Sequence, residues 1–420
     1  MSSDTTTYKP SFHELADSAA LTEPGAATAD ESRPALSRRG ADQTIGGAFA
    51  RSSVPLAPGG IALTGGFPGP DVLPIARLAE SYARVLADPG AGLTALQYHG
   101  PFGTDELRAW IAEDQGVPFE QVLITNGALH SISYALEALI EPGDLVLVEN
   151  PTYPFALRAL QYYGARVEAI GTDAHGLDAD ALQTALEAGA RPKALYVIPD
   201  FQNPTGVTLT AQRWTQITEL AEQYGFVILS DNPYSRLRFA GESVADFEVA
   251  SDRVVHANTF SKVLGPGLRL GWAVLPTWLV GPAVRTRLNT DQHAGLLTQR
   301  VVTDLLTQPG ALDAVVTDAT TAYAERSRVL YDALAARLGD RFVAARPEGG
   351  LFLWAQIPGL DAARALDAGR AAGVDFTLGV GFDPVASGRY DEFVRFAYSS
   401  ATPDQLLLAA DRFADAVASL

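Results

Sequence analysis

From about residue 63 to residue 297 the chain alternates short apolar runs with longer stretches of helical periodicity. The runs are Leu145-Val-Leu-Val148, Ala194-Leu-Tyr-Val-Ile198, Phe226-Val-Ile-Leu229 and Val254-Val255, each bounded by polar or turn residues. Unbroken apolar runs of this length suit strands covered on both faces, and their alternation with helices predicts crossover units around a mainly parallel sheet. Beyond about residue 311 the pattern changes. An amphipathic stretch at 323–338 predicts a long helix, Gly350-Leu-Phe-Leu-Trp354 and Phe393-Val-Arg-Phe396 read as strands, and the last residues read as a closing helix. This is the pattern of a smaller α+β unit. Residues 1–55 are rich in Ser, Thr, Ala, Asp and Gly with little periodicity, and are expected to form a poorly ordered arm. The expected division is an arm at 1–55, a large domain at 60–300, and a small domain at 301–420 joined by part of the N-terminal segment. At 420 residues the chain exceeds one ordinary core, which also favours two domains sharing a cleft.

In open α/β sheets ligands bind beyond the carboxyl ends of the strands, so the residues that end each run are the ones to inspect. Leu145 to Val148 runs into Glu-Asn-Pro-Thr-Tyr153, and Ala194 to Ile198 into Pro-Asp-Phe-Gln-Asn-Pro-Thr-Gly206. Phe226 to Leu229 runs into Ser-Asp-Asn-Pro-Tyr234, and Val254-Val255 leads to His-Ala-Asn-Thr-Phe-Ser-Lys262. One sheet edge is thus expected to offer an aromatic ring, an amide, a carboxylate with a phenol, and an amine. That set suits pyridoxal phosphate, which needs a lysine to form an imine and a carboxylate to keep its pyridine nitrogen protonated. Lys262 and Asp231 fit those roles, Tyr153 offers a face for the ring, and Asn203 and Tyr234 can meet its phenolate oxygen. For the phosphate, Thr125-Asn-Gly127 precedes a helix-like pattern and offers the amides of Gly127, Ala128 and Leu129, while Thr259, Ser261 and Arg269 surround the lysine.

Taken singly, each feature has an ordinary explanation. Asn-Pro-Thr-Gly is commonly a turn, Tyr153 a partly buried aromatic, Arg269 a surface charge, and Lys262 a solvated amine. Their occurrence in order on successive strand ends is what carries the functional reading.

Composition removes competitors. Three lysines are present, at positions 9, 193 and 262, so a lysine-dependent mechanism has few candidates. Cysteine is absent, which excludes disulfides, thiolate metal sites and a cysteine nucleophile, and no metal site is expected. A formal net charge of -18 repels phosphate backbones and anionic lipid, so neither nucleic acid nor a membrane surface is an expected partner. No apolar run approaches the roughly 20 residues of a membrane span, and the N-terminus lacks a signal-peptide pattern, so the cytoplasm is the expected location.

With these residues in view, the chain resembles the class I and II aminotransferases of the fold-type I pyridoxal-phosphate superfamily. Tyr-Val-Ile-Pro-Asp-Phe-Gln-Asn-Pro-Thr-Gly206 and Thr-Phe-Ser-Lys-Val-Leu-Gly-Pro-Gly-Leu-Arg-Leu-Gly-Trp272 are similar to the branch of 2-aminoadipate and kynurenine aminotransferases, itself close to the enzyme-like half of MocR-type regulators. The resemblance implies a large domain with a mostly parallel seven-stranded sheet flanked by helices, plus a smaller α+β domain. It implies that Lys262 holds the cofactor as a Schiff base, Asp231 pairs with its pyridine nitrogen, and Asn203 and Tyr234 meet its phenolate. Tyr153 would stack, and Gly127, Ala128, Ser261 and Arg269 would hold its phosphate. It further implies a homodimer with composite sites, in which Tyr98 of Leu96-Gln-Tyr98 reaches the neighbouring subunit's cofactor. Arg395 of Phe393-Val-Arg395 would bind the substrate α-carboxylate, and Gly65-Gly66 would let backbone approach the substrate.

Two segments depart from the family pattern: Phe376-Thr-Leu-Gly-Val-Gly-Phe382 and Asp291-Gln-His-Ala-Gly295. Both lie where such enzymes shape the substrate pocket, so the resemblance carries the cofactor chemistry without naming the substrate. Amino transfer between an L-α-amino acid and a 2-oxo acid, with 2-oxoglutarate as a candidate acceptor, is the leading expectation. A lyase, oxidase or cyclase reaction on the same scaffold is the alternative. A DNA-binding regulator would need a basic helical domain, which the acidic, loop-like first 55 residues do not supply.

Overall fold

Alternation along the apolar runs builds the large sheet from both sides. Val146, Val148, Ala194, Tyr196, Leu229, Val255 and Ala257 join one buried cluster. Leu145, Leu147, Leu195, Val197, Ile228 and Val254 join a second on the opposite face. Because successive side chains of a strand point to opposite faces, a run apolar at every position demands cover on both. The computed structural model describes residues 56–242 and 247–420 together with Pro34 and Ser37, so the arm expected at 1–55 lies almost wholly outside the described residues.

In chain order the strands are β1 (Ile61–Ala62), β2 (Val122–Thr125), β3 (Leu145–Asn150), β4 (Arg166–Asp173), β5 (Gly176–Leu177), β6 (Ala194–Val197) and β7 (Val227–Asp231). They continue as β8 (Val254–Thr259), β9 (Gly271–Val274), β10 (Val343–Ala344), β11 (Phe352–Gln356), β12 (Val374–Asp375), β13 (Thr377–Leu378) and β14 (Phe393–Ala397). The large sheet has the order β2-β9-β8-β7-β6-β3-β4-β5. Its centre is parallel, whereas β9 runs antiparallel between β2 and β8. To the seven expected strands it adds an eighth, the two-residue β5 antiparallel to β4 at the edge. Strands β2, β4 and β9 have no counterpart among the apolar runs. Strand β4 lies towards the edge and is mostly part-exposed, which dilutes its hydrophobic signal.

A four-stranded antiparallel sheet, β10-β11-β14-β13, stands apart, backed by the helix Pro403–Ala418 and the 28-residue helix Ala311–Leu338. The long helix starts before the expected residue 323. Strand β1 pairs in parallel with β12, Ile61 opposite Val374, which draws the early chain onto this second unit. The segment that follows is then pinned between the units: Ala397 N donates to Leu63 O at 2.7 Å and Ser399 Oγ to Phe67 O at 2.7 Å. Thr64 and Gly66 are thereby carried to the edge of the large sheet.

Register places the rest of the site. Val148 pairs with Tyr196, Tyr196 with Leu229 and Leu229 with Val255, so the residues after each pair leave the sheet together. On the other side Thr125 and Thr259 both face Gly271, which gathers the loop after β2, the turn after β8 and the approach to β9.

Candidate active site

Lys262 sits in the short 3₁₀ turn Phe260–Lys262 that follows β8. Thr259 shapes that turn: its hydroxyl accepts from Ser261 N at 3.1 Å and donates to Leu270 O at 2.8 Å. The Lys262 Nζ donates to Gly66 O at 2.6 Å and lies 5.8 Å from the centre of the Tyr234 ring. Burial lowers the pKa of its amine to about 8, although the nearby Asp231 carboxylate works the other way. A neutral, nucleophilic amine is thus available near neutral pH.

Asp231, at the end of β7, is 5% exposed. Its Oδ2 accepts from the Tyr196 hydroxyl at 2.8 Å, while Oδ1 is buried and finds no hydrogen-bond partner among the described residues. Burial raises its pKa to about 6, against the Tyr196 hydrogen bond and the charge of Lys262. A buried carboxylate oxygen without a partner is costly, and a cationic ring N–H is the kind of group that satisfies it. The site therefore fits a protonated pyridine. Tyr196 escaped the sequence reading because it lies inside an apolar run. The available signal was its parity: the next-to-last residue of β6, paired with Leu229, it shares the sheet face of Asp231.

The phosphate end starts at Gly127, whose φ of 105° precedes the helix Ala128–Leu139. No side chain caps this helix, which leaves its start as a candidate anion site. A Cβ on Gly127 would stand 2.8 Å from Arg269 Nη2 and one on Gly271 2.8 Å from the Gly127 carbonyl carbon, so the loop must be glycine on both counts. Arg269, itself at φ 49°, donates from Nη2 to Asn126 O at 2.7 Å and from Nη1 to Pro266 O at 3.2 Å. The Ser261 Oγ is 2.8 Å from Thr259 Oγ1. Since Thr259 gives its proton to Leu270 O, the Ser261 hydroxyl is the donor in that pair.

The opposite end is Arg395, on β14 and 1% exposed. Its Nη1 donates to Asn203 Oδ1 at 2.8 Å, and its Nη2 to Thr64 O at 2.6 Å and Thr377 Oγ1 at 3.3 Å. The guanidinium carbon lies 4.1 Å from the ring centre of Phe352 and 4.8 Å from that of Phe382. Burial lowers its pKa to about 10, which leaves it cationic. Thr377 and Phe382 both belong to the segment 376–382, which therefore reaches the Arg395 guanidinium itself. With its Oδ1 committed to Arg395, Asn203 hydrogen-bonds the buried Tyr234 hydroxyl. Gly65 and Gly66 have a steric reason: a Cβ would strike the rings of Phe67 and Phe352 respectively.

Tyr153, part-buried, ends the loop after β3 and precedes the helix Pro154–Tyr162. The loop is held by a residue that the sequence reading passed over, Glu149. Its Oε2 accepts from Ile198 N at 2.9 Å and Gln202 Nε2 at 3.3 Å, and Gln202 Nε2 also donates to Pro151 O at 2.7 Å. The ends of β3 and β6, which carry Tyr153 and Asn203, are thus tied together. Burial lifts the Glu149 pKa to about 8. Leu129 is at the surface, and Tyr98 is 85% exposed with its ring edge-on to His293, 5.9 Å between centres. Within one chain the Tyr98 ring therefore faces largely to solvent.

A fold of this kind, with an amine, a buried carboxylate and a glycine-led helix start at one sheet edge, defines a pyridoxal-phosphate enzyme. The family Aminotransferase class I and II matches residues 70–413. The aromatic-amino-acid aminotransferase 1 of Thermococcus litoralis is 33% identical over 335 residues, covering 77% of this chain and 80% of that protein. The 2-aminoadipate transaminase of Thermus thermophilus is 32% identical over 349 residues, covering 82% and 86%. The solved α-aminoadipate aminotransferase of Thermus thermophilus, complexed with N-(5'-phosphopyridoxyl)-L-leucine, superposes with a TM-score of 0.82 at 29% identity, covering 91% of this chain and 97% of that one. The chain belongs to the class I and II aminotransferases. Its cofactor is pyridoxal phosphate and its reaction is amino transfer between an amino acid and a 2-oxo acid.

Proposed function

We propose that Lys262, Asp231 and Arg395 divide the reaction among them, a reading carried by the buried Asp231 oxygen that lacks a partner beside the Lys262 amine. Pyridoxal phosphate, when bound, supplies a carbonyl for the amine and a ring that withdraws electrons. Lys262 is the residue that would hold the cofactor, and its amine would move the proton at the substrate α-carbon. Asp231 would accept a hydrogen bond from the ring N–H and keep it charged. Tyr234 and Asn203 would donate towards the ring oxygen, and Tyr153 would cover one ring face. Gly127, Ala128, Leu129, Ser261 and Arg269 hold the phosphate. Arg395 receives the α-carboxylate, with the Gly66 backbone alongside.

The same reading includes a homodimer. Leu96 and Tyr98 stand 69% and 85% exposed along a groove of about 450 Å³ that also includes His293, Leu296 and Leu297, and Leu93 on the preceding helix is 67% exposed. An exposed apolar row of this kind favours association, and a two-fold copy would bring Tyr98 to the other subunit's phosphate. The chain divides near residue 300 into large and small domains, acts in the cytoplasm, and takes no nucleic acid or membrane partner; among the described residues no helix is long and apolar enough to cross a membrane. Aromatic amino acids and α-aminoadipate, the substrates named for the relatives, are the first donors to try, with 2-oxoglutarate as acceptor. A donor panel tests the function: a productive donor bleaches the visible absorbance of the bound cofactor, and a 2-oxo acid restores it. Bleaching without recovery by any 2-oxo acid would favour a different fate for the substrate carbanion.

A further inference from the structure

Behind the phosphate end lies a polar cluster to which none of the roles above is assigned. Asp291 Oδ2 accepts from Asn126 Nδ2 at 2.7 Å, and Oδ1 from the Tyr134 hydroxyl at 2.5 Å and Arg287 Nε at 3.2 Å. Arg287 is wholly buried and also donates to Pro101 O at 2.8 Å and to Ile124 O. Asn126 immediately precedes Gly127, and its carbonyl receives the 2.7 Å hydrogen bond from Arg269. Tyr134 belongs to the helix whose first amides form the anion site. One carboxylate therefore touches the loop and the helix of the phosphate end directly, and reaches its arginine through Asn126.

A carboxylate so near an anion site opposes binding unless a cation neutralises it, and the buried Arg287 does so. The other titratable group facing Asp291 is His130, whose Nδ1 is 3.9 Å from Oδ2 and accepts from Asn126 N at 3.4 Å. That acceptor role, with burial lowering its pKa, makes His130 neutral. Burial alone would raise the Asp291 pKa, but hydrogen bonds from Tyr134 and Arg287 outweigh it and the group stays anionic. We propose that Asp291 is a positioning residue for the cofactor phosphate: by fixing Asn126 from behind, it sets the Gly127 loop and Arg269 as one preformed cup. Asp291 opens the segment Asp291-Gln-His-Ala-Gly295, which leads into the helix Leu296–Leu306.

This inference rests on the assignment of phosphate to that end, and the test separates the two. The cofactor-free protein is titrated with pyridoxal 5'-phosphate and with pyridoxal, which lacks the phosphate, following visible absorbance. Asp291→Ala is expected to weaken pyridoxal phosphate by about ten- to hundredfold, the range for a lost charge-assisted hydrogen bond, while pyridoxal changes by less than about twofold. Asn126→Ala removes the same bond from the other side and should give the same selective loss, which carries the test if Asp291→Ala fails to fold. Arg269→Gln is the control. Equal losses for both ligands, or no loss in either variant while Arg269→Gln loses phosphate selectivity, would overturn the role of Asp291. No phosphate-selective loss in any of the three would overturn the phosphate assignment itself.

Discussion

The two ends of the site proposed to bind anions are built by opposite means. Arg395 is sealed among Phe352, Phe382, Asn203, Thr64 and Thr377, with its fork set before any substrate arrives. Arg269 lies outside the core on a left-handed turn and is aimed by two backbone carbonyls, sharing its task with helix amides. The difference follows the ligands. A phosphate that stays bound can be shared among many weak donors, whereas a carboxylate exchanged in every half reaction needs one strong fork whose desolvation has been met during folding. Aromatic walls also lower the local dielectric, which strengthens that charge pair.

Changes at and between the two ends would break or sharpen this contrast. Lys262→Ala, which removes the amine both ends serve, should cut turnover by at least roughly 10⁴-fold, about 5 kcal/mol in the barrier, in steady-state assays. The variant should still retain cofactor, which isolates the strength of the phosphate end; prompt loss of cofactor on dialysis would show that end to be weak alone. Arg395→Lys keeps the charge and loses the fork, so kcat/KM should fall roughly 10²–10³-fold, about 3–4 kcal/mol, for every donor and acceptor together. The spectrum without substrate should not change. If a single donor suffers, Arg395 reads a side chain instead.

Lys262 itself supplies a pH test. A lysine whose pKa is depressed to about 8 by burial loses its proton below the ordinary lysine range, so neutral amine accumulates as pH rises through about 8. Aldehyde capture by the cofactor-free protein should follow that midpoint, roughly a hundredfold faster at pH 8 than expected from an unperturbed lysine. A midpoint above about 10 would place the amine in open water. Arg269→Gln should weaken cofactor binding by about 10–10²-fold yet leave donor affinities unchanged at saturating cofactor. Weaker donor binding there would dissolve the contrast between the ends. The smallest effect is expected from Tyr196→Phe, roughly three- to tenfold in turnover. Losing a donor to the anionic carboxylate raises the Asp231 pKa, so the acid limb of the activity profile should move to higher pH. An unmoved limb would mean that Asp231 does not govern it.

The sequence by itself determined the large sheet's centre and the chemistry on its edge, because strands covered on both faces leave unbroken apolar runs and the groups that follow must emerge at one end. The places of Lys262, Asp231, Asn203 and Tyr153 just at or beyond strand ends were legible for that reason, whereas Arg395 entered by resemblance. Strand β4 was not, since a part-exposed strand near the edge dilutes its apolar pattern, and β5 is too short to leave one. Only tertiary structure decided the partners. Tyr196 and Asp231 are 35 residues apart and meet through register, Asn126 and Asp291 are 165 apart, and Arg395 reaches Thr64 across 331 residues because β1 pairs with β12. Local periodicity records which face a residue occupies, not which distant side chain shares that face. A polar residue inside an apolar run, such as Tyr196, therefore shows its purpose only when the neighbouring strand is in place.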